Sequence, residues 1–245
     1  MVFILIGLNY MNTVHSVSKK QDKASVRLFF FTSVLPVLLL LIPMFLLKFI
    51  ESYYHLSFSD YGIFPRKISG LSGILFSPFI HGNWAHLINN AIPLFIMGIA
   101  LFYFYKEIAW KTFFWIWIMQ GIWTWLAARE SFHVGASGIL YGLFGFLLLS
   151  GIIRMNKALL IISLLVVLEY GSMVWGVFPI KYEISWESHL WGLAAGVALA
   201  FVFKKQGMQR EIYKWEEDEE EVENSLNEIK ISYEFIEKEK KEENL

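Results

Sequence analysis

The chain has 245 residues, 56% hydrophobic, 18% aromatic and 18% charged, which is more apolar and less charged than a soluble domain of this length. It contains no cysteine, so disulfides, thiolate nucleophiles and Cys-ligated metals are excluded. The net charge of −1 joins two unlike parts: 16 Lys+Arg against 8 Asp+Glu in residues 1–210, and 5 against 14 in residues 211–245.

The opening MVFILIGLNYMNTVHSVSKK puts its apolar run before its positive charges and shows no cleavage-site pattern. That is the wrong order for a secretory signal, so residues 1–25 read as an N-terminal cytoplasmic or juxtamembrane segment. Leu28 to Leu47 is an uncharged run of 20 residues. As a helix it spans the roughly 30 Å hydrocarbon core of a bilayer. Pro36 and Pro43 are tolerated there if neighbours satisfy the freed backbone groups. Residues 51–83 form a long connection with glycines, aromatics and FPRK, but no spanning segment. Five further apolar segments follow, near 84–105, 109–127, 135–153, 157–178 and 186–203. The expectation is an all-α polytopic membrane protein whose six-transmembrane-helix bundle occupies residues 26–205, followed by an acidic cytoplasmic tail over 206–245. Eleven Lys/Arg lie on the side of the termini and five on the other. Both termini are therefore expected in the cytoplasm, with the start of the fourth span facing outward.

Polar residues inside spanning segments are costly and call for a reason. His86 and Asn90 lie one turn apart in HGNWAHLINN and share a helix face. His189 sits one turn into the sixth segment, in SWESHLWGLAAG, followed by the G-x-x-x-G pair Gly192 and Gly196. Such a pair admits a second helix backbone at close range. Ser137 opens the fourth segment in GASG, between Gly135 and Gly138. A lone membrane serine usually bonds its own helix. A serine, a histidine on another helix and two extra donors on a third make a complete hydrolytic set. The serine hydroxyl needs a base, and an imidazole, titrating at about pH 6.5, can take its proton and return it to a leaving amine. His86, Asn90 and the Ser137 N–H are candidate donors to the oxyanion. Glu187 stands at i−2 and faces away from His189, so the set reads as a dyad whose ring is oriented by packing. Tyr141, one turn after Ser137, is placed to stack on that ring.

HGNWAHLINN, GASG and SHLWGLAAG, in this order on successive apolar segments, resemble the motifs of the rhomboid family of intramembrane serine proteases. The resemblance covers about residues 26–205. It implies Ser137 as nucleophile, His189 as base and His86 with Asn90 in the oxyanion hole. It also implies supporting roles for Gly135, Gly138, Tyr141, His81, Gly192 and Gly196, with His81 bracing the outward loop. The implied activity is intramembrane endopeptidase cleavage of transmembrane substrates at small residues, without metal, cofactor or nucleic-acid partner. Oligomeric state stays open, and the expected location is a bacterial inner membrane. Substrate is expected to enter sideways, past the 51–83 loop or the fifth span. Departures from the family pattern are Phe64 where a tryptophan is common near Arg66, Ser188 where alanine is common, and an added His133, expected to face headgroups. Three rival readings are a silent rhomboid-like client binder, a haem protein ligated by His86 and His189, and a transporter. The last is disfavoured because no spanning segment reads as holding the paired charges a proton path needs.

Overall fold

The computed structural model describes residues 24–180 and 184–210, and among these residues six long helices account for most of the chain. Helix α1 runs Ala24–Tyr54. It contains a π turn at Phe30–Val34, where the Leu35 N–H bonds the Phe30 carbonyl, five residues back. Pro36 follows at once and has no N–H to give. The widened turn absorbs the break that proline imposes on the ladder. Helices α2 (Trp84–Phe104), α3 (Ala109–Ala127), α4 (Ser137–Arg154), α5 (Lys157–Tyr170) and α6 (Trp186–Val202) follow, and a 3-10 stretch, Gly171–Val177, continues α5. No strand occurs among the described residues; one isolated bridge joins Ile63 and His133.

Among the described residues, four segments are long and apolar enough to cross a membrane: Ala24–Tyr54, Trp84–Phe104, Ser137–Arg154 and Lys157–Val177. α3 and α6 are helices where expected, but neither reaches that standard. α3 carries five tryptophans, Lys111 and Gln120, and indole counts little as an apolar group on a hydropathy scale. α6 has only 17 residues and carries Glu187, Ser188 and His189 straight after its first residue, Trp186.

α4 is the central helix. It packs on α6, α5, α3 and α2, and most of its residues are buried. Apolar helices in lipid gain nothing by hiding Leu from Leu, so close backbone approach decides which faces meet. Here the contact is glycine on glycine. A Cβ on Gly192 would fall 2.9 Å from the Gly138 carbonyl carbon and nearer its oxygen, and one on Gly196 would fall 2.8 Å from the Gly142 carbonyl carbon. α5, by contrast, turns Ile161, Leu164, Leu165 and Leu168 outward.

The connection between α1 and α2 folds into short helical turns at Ser59–Tyr61, Ile68–Gly70, Gly73–Phe76 and Ser77–Phe79. Arg66, in a left-handed conformation (φ 61°), donates to the Ala128 carbonyl at 2.6 Å. The described residues all belong to one unit ending at Arg210. The expected N-terminal segment, up to residue 23, and the acidic tail from residue 211 lie outside the described residues.

Candidate active site

Ser137 is the first residue of α4, and the turn before it is held from three sides. His133 and Ile63 exchange backbone hydrogen bonds at 2.9 and 3.0 Å, and the Gly135 N–H bonds the Ser77 carbonyl at 2.9 Å. The Ala136 N–H reaches His81 Nε2 at 3.4 Å. All three anchors belong to the long α1–α2 connection, so that loop fixes where the serine points. Gly135 has φ 107°, a region side chains avoid. Space requires glycine there as well, because a Cβ would fall 2.8 Å from the His86 ring and 3.4 Å from Asn90 Nδ2.

His189 projects from the first turns of α6. Its Nε2 lies 2.8 Å from Ser137 Oγ, and its Nδ1 lies 2.9 Å from the Gly176 carbonyl. A carbonyl can only accept, so Nδ1 carries the proton and Nε2 is left as an acceptor for the serine hydroxyl. Packing, which the sequence suggests as the source of ring orientation, is only part of it. The ring does stack on Tyr141, centroids 4.2 Å apart and planes 7° from parallel, but Gly176 adds a directional bond. Tyr141 in turn donates to the Met173 carbonyl at 2.7 Å. Both carbonyls come from the 3-10 stretch after α5. Nothing in the sequence signals a main-chain acceptor at Gly176.

His86 and Asn90 lie on α2 and face Gly135. Asn83 caps α2, its Oδ1 accepting the His86 N–H at 2.7 Å. Asn90 is buried, and its Nδ2 has no partner among the described residues. A buried N–H without an acceptor is costly unless something else occupies the position. His81 is buried with its ring edge-on to His86, centroids 5.0 Å apart. Burial, then the nearby His86, pushes its pKa down to about 3, so it is a neutral brace. Gly138 lies under Ser188 and Gln120, where Ser188 Oγ donates to Gln120 Oε1 at 3.1 Å. Together these elements line a cavity of about 530 Å³ that includes Ser137, His189, His86, Asn90 and Tyr141.

Two expectations need correction. His133 does not face headgroups. It is buried, bonds Ser185 and the Arg129 carbonyl, and its pKa is lowered by burial. The backbone pairing with Ile63 draws it inward. Paired charges also do occur in a spanning helix. α1 continues past residue 47 to Tyr54, and Lys48 meets Glu51 at 3.0 Å. Lys48 also donates to the carbonyls of His81 (2.9 Å) and Gly82 (3.0 Å), and Glu51 accepts the Phe58 N–H at 2.7 Å. The pair ties α1 to the loop beside the site; an opposite-charge i, i+3 pair closing an apolar run was its legible signal. Glu187, as expected, turns from His189 and pairs with Arg129 at 3.6 Å.

The Rhomboid domain family model matches residues 69–206, more than half of the chain and all of α2 to α6. The chain belongs to the rhomboid family. It is therefore an integral membrane protein. It is 36% identical to uncharacterized proteins of Mycobacterium tuberculosis and Mycobacterium bovis over 151 residues, 58% of this chain and 62% of theirs. The chain thus spans under two thirds of the length of these relatives. To an uncharacterized protein of Mycobacterium leprae it is 33% identical over 195 residues, 75% of this chain and 76% of that one.

Proposed function

We propose that this rhomboid is an intramembrane serine endopeptidase that cuts transmembrane or membrane-proximal segments of other membrane proteins with a Ser137–His189 dyad. The observation that carries the reading is the 2.8 Å contact between Ser137 Oγ and His189 Nε2, with Nδ1 committed to Gly176. Ser137 Oγ attacks the scissile carbonyl carbon while Nε2 takes its proton. The resulting oxyanion accepts from the N–H of Ser137, from Asn90 Nδ2 and from His86. Backbone N–H groups in the first turn of a helix are free for this purpose. His189 then protonates the leaving amine, and the acyl-serine forms. A water gives its proton to Nε2 and attacks the ester, and the serine leaves with that proton. Removing one oxyanion donor typically costs about 10²–10³ in rate.

In this reading α1 to α6 form the protease domain over residues 26–205. The membrane is a bacterial inner membrane, with the termini in the cytoplasm and the dyad near the outer face. The mycobacterial relatives and the charge asymmetry support that placement. The test is twofold: labelling of detergent-purified protein by a fluorophosphonate, and cleavage of a single-span substrate in liposomes. Wild type is expected to label and cleave, Ser137→Ala and His189→Ala to do neither. Wild type without label, or Ser137→Ala labelled equally, would leave the client-binding reading in its place.

A further inference from the structure

One polar residue at the cavity lies outside the set above. Asn89 lines the same cavity as Ser137 and His189. At 100° per residue it points away from its buried neighbour Asn90, and it is exposed. The residues sharing its stripe of α2 are Ala85, Ile92 and Ile96, all outward-facing, with Ile92 57% and Ile96 50% exposed. That stripe is the face a membrane helix turns to lipid. A carboxamide there costs free energy unless it is hydrogen-bonded. Among the described residues none of its atoms has a hydrogen-bond partner.

The cavity explains the position. Asn89 and Pro93 of α2 line it together with Tyr170 and Met173, from the end of α5 and the turn after it. A chain reaching Ser137 along the α2 side of this cavity meets Asn89. A peptide whose carbonyl is to be attacked must leave its helix over a few residues, and each residue that unwinds exposes a free N–H and a free C=O to a medium with no water. A carboxamide supplies one acceptor and two donors, which match such a pair. Apolar side chains at this place satisfy neither group.

The geometry points to Asn89 as a substrate-binding residue that hydrogen-bonds the unwound main chain of a spanning peptide on its way to Ser137. This rests on the proteolytic reading. Asn89 does not touch the dyad, so it acts on substrate affinity and on the choice between helical and extended segments. The ligand class is extended polypeptide backbone, independent of side chain.

The experiment uses the full chain in liposomes with a single-span substrate, comparing wild type, Asn89→Leu and Asn89→Gln. Fluorophosphonate labelling of Ser137 is the parallel readout, since the small probe carries no peptide backbone. Asn89→Leu is expected to lower kcat/KM about tenfold, through KM, with labelling within about twofold of wild type. Asn89→Gln is expected to regain most of the loss. Cleavage by Asn89→Leu at the wild-type rate overturns the proposal, as does parallel loss of cleavage and labelling, or failure of glutamine to rescue. Wild type that neither labels nor cleaves removes the proteolytic reading itself, a separate and recognisable outcome.

Discussion

Substituting Gly192 by alanine tests whether backbone contact between α4 and α6 sets the contact between Ser137 and His189. The new methyl would fall 2.9 Å from the Gly138 carbonyl carbon and nearer to its oxygen. Non-bonded carbons rest at about 3.5–4.0 Å, so the helices must part by about 1 Å. The opposing atoms are main chain and cannot rotate aside. His189 stands one turn before Gly192 and moves with it. The 2.8 Å contact with Ser137 then lengthens beyond about 3.5 Å, where a hydrogen bond is lost. Misplacement of about 1 Å costs on the order of 10²-fold in rate, and overpacking costs about 1–3 kcal/mol of stability. The assay is fluorophosphonate labelling at matched amounts of monodisperse protein, with a thermal melt on the same samples. Gly171→Ala is the control, because its methyl would meet only Val167 Cγ1 at 3.6 Å. Labelling of Gly192→Ala at more than a third of the wild-type rate would refute the argument.

Two further predictions concern the loop beside the site. Lys48→Met leaves Glu51 buried without its ammonium and is expected to cost about 3–5 kcal/mol; adding Glu51→Leu should recover much of the melting temperature, and a double variant no better than the single one contradicts this. His81 binds a proton near pH 6.5 when unfolded but only at about 3 when folded. Between those values the unfolded chain holds more protons, so stability is complete above about pH 6.5 and falls as pH drops, by up to about 1.4 kcal/mol per unit. His133, lowered by burial as well, acts in the same direction. Melts from pH 7.5 to 4.5 should show this decline, and His81→Gln, which keeps an acceptor for Ala136, should flatten it; equal slopes would count against the assignment.

The helices were readable because each apolar run is long and bounded by polar residues. They lie within a few residues of where the pattern put them, α5 once its 3-10 continuation to Val177 is counted, apart from α1, which continues seven residues past Leu47 through Lys48 and Glu51. A charge count ends a span at the first lysine, whereas the structure retains it because His81, Gly82 and Glu51 surround its ammonium. The residues of the candidate site were legible as side chains with spacing: Ser137 between glycines, His86 and Asn90 one turn apart, His189 ahead of Gly192 and Gly196. His133 was misjudged because its burial depends on Ile63, seventy residues earlier, through bonds that any two residues can make. Gly176 was out of reach for the same reason.

The partner that steadies His189 is a peptide oxygen, and glycine is required at that residue by space, since a Cβ on Gly176 would stand 3.2 Å from His189 Nδ1 and closer to the Tyr141 hydroxyl. Aspartate-steadied triads place a formal anion behind the imidazole; here a neutral dipole holds the tautomer, and no carboxylate has to be desolvated behind the ring. Truncating side chains cannot remove this oxygen, and Gly176→Ala would add a clashing methyl while leaving the carbonyl in place. That contributor can be edited only by altering the chain itself, for instance by exchanging the 176–177 amide for an ester and so weakening its carbonyl as an acceptor.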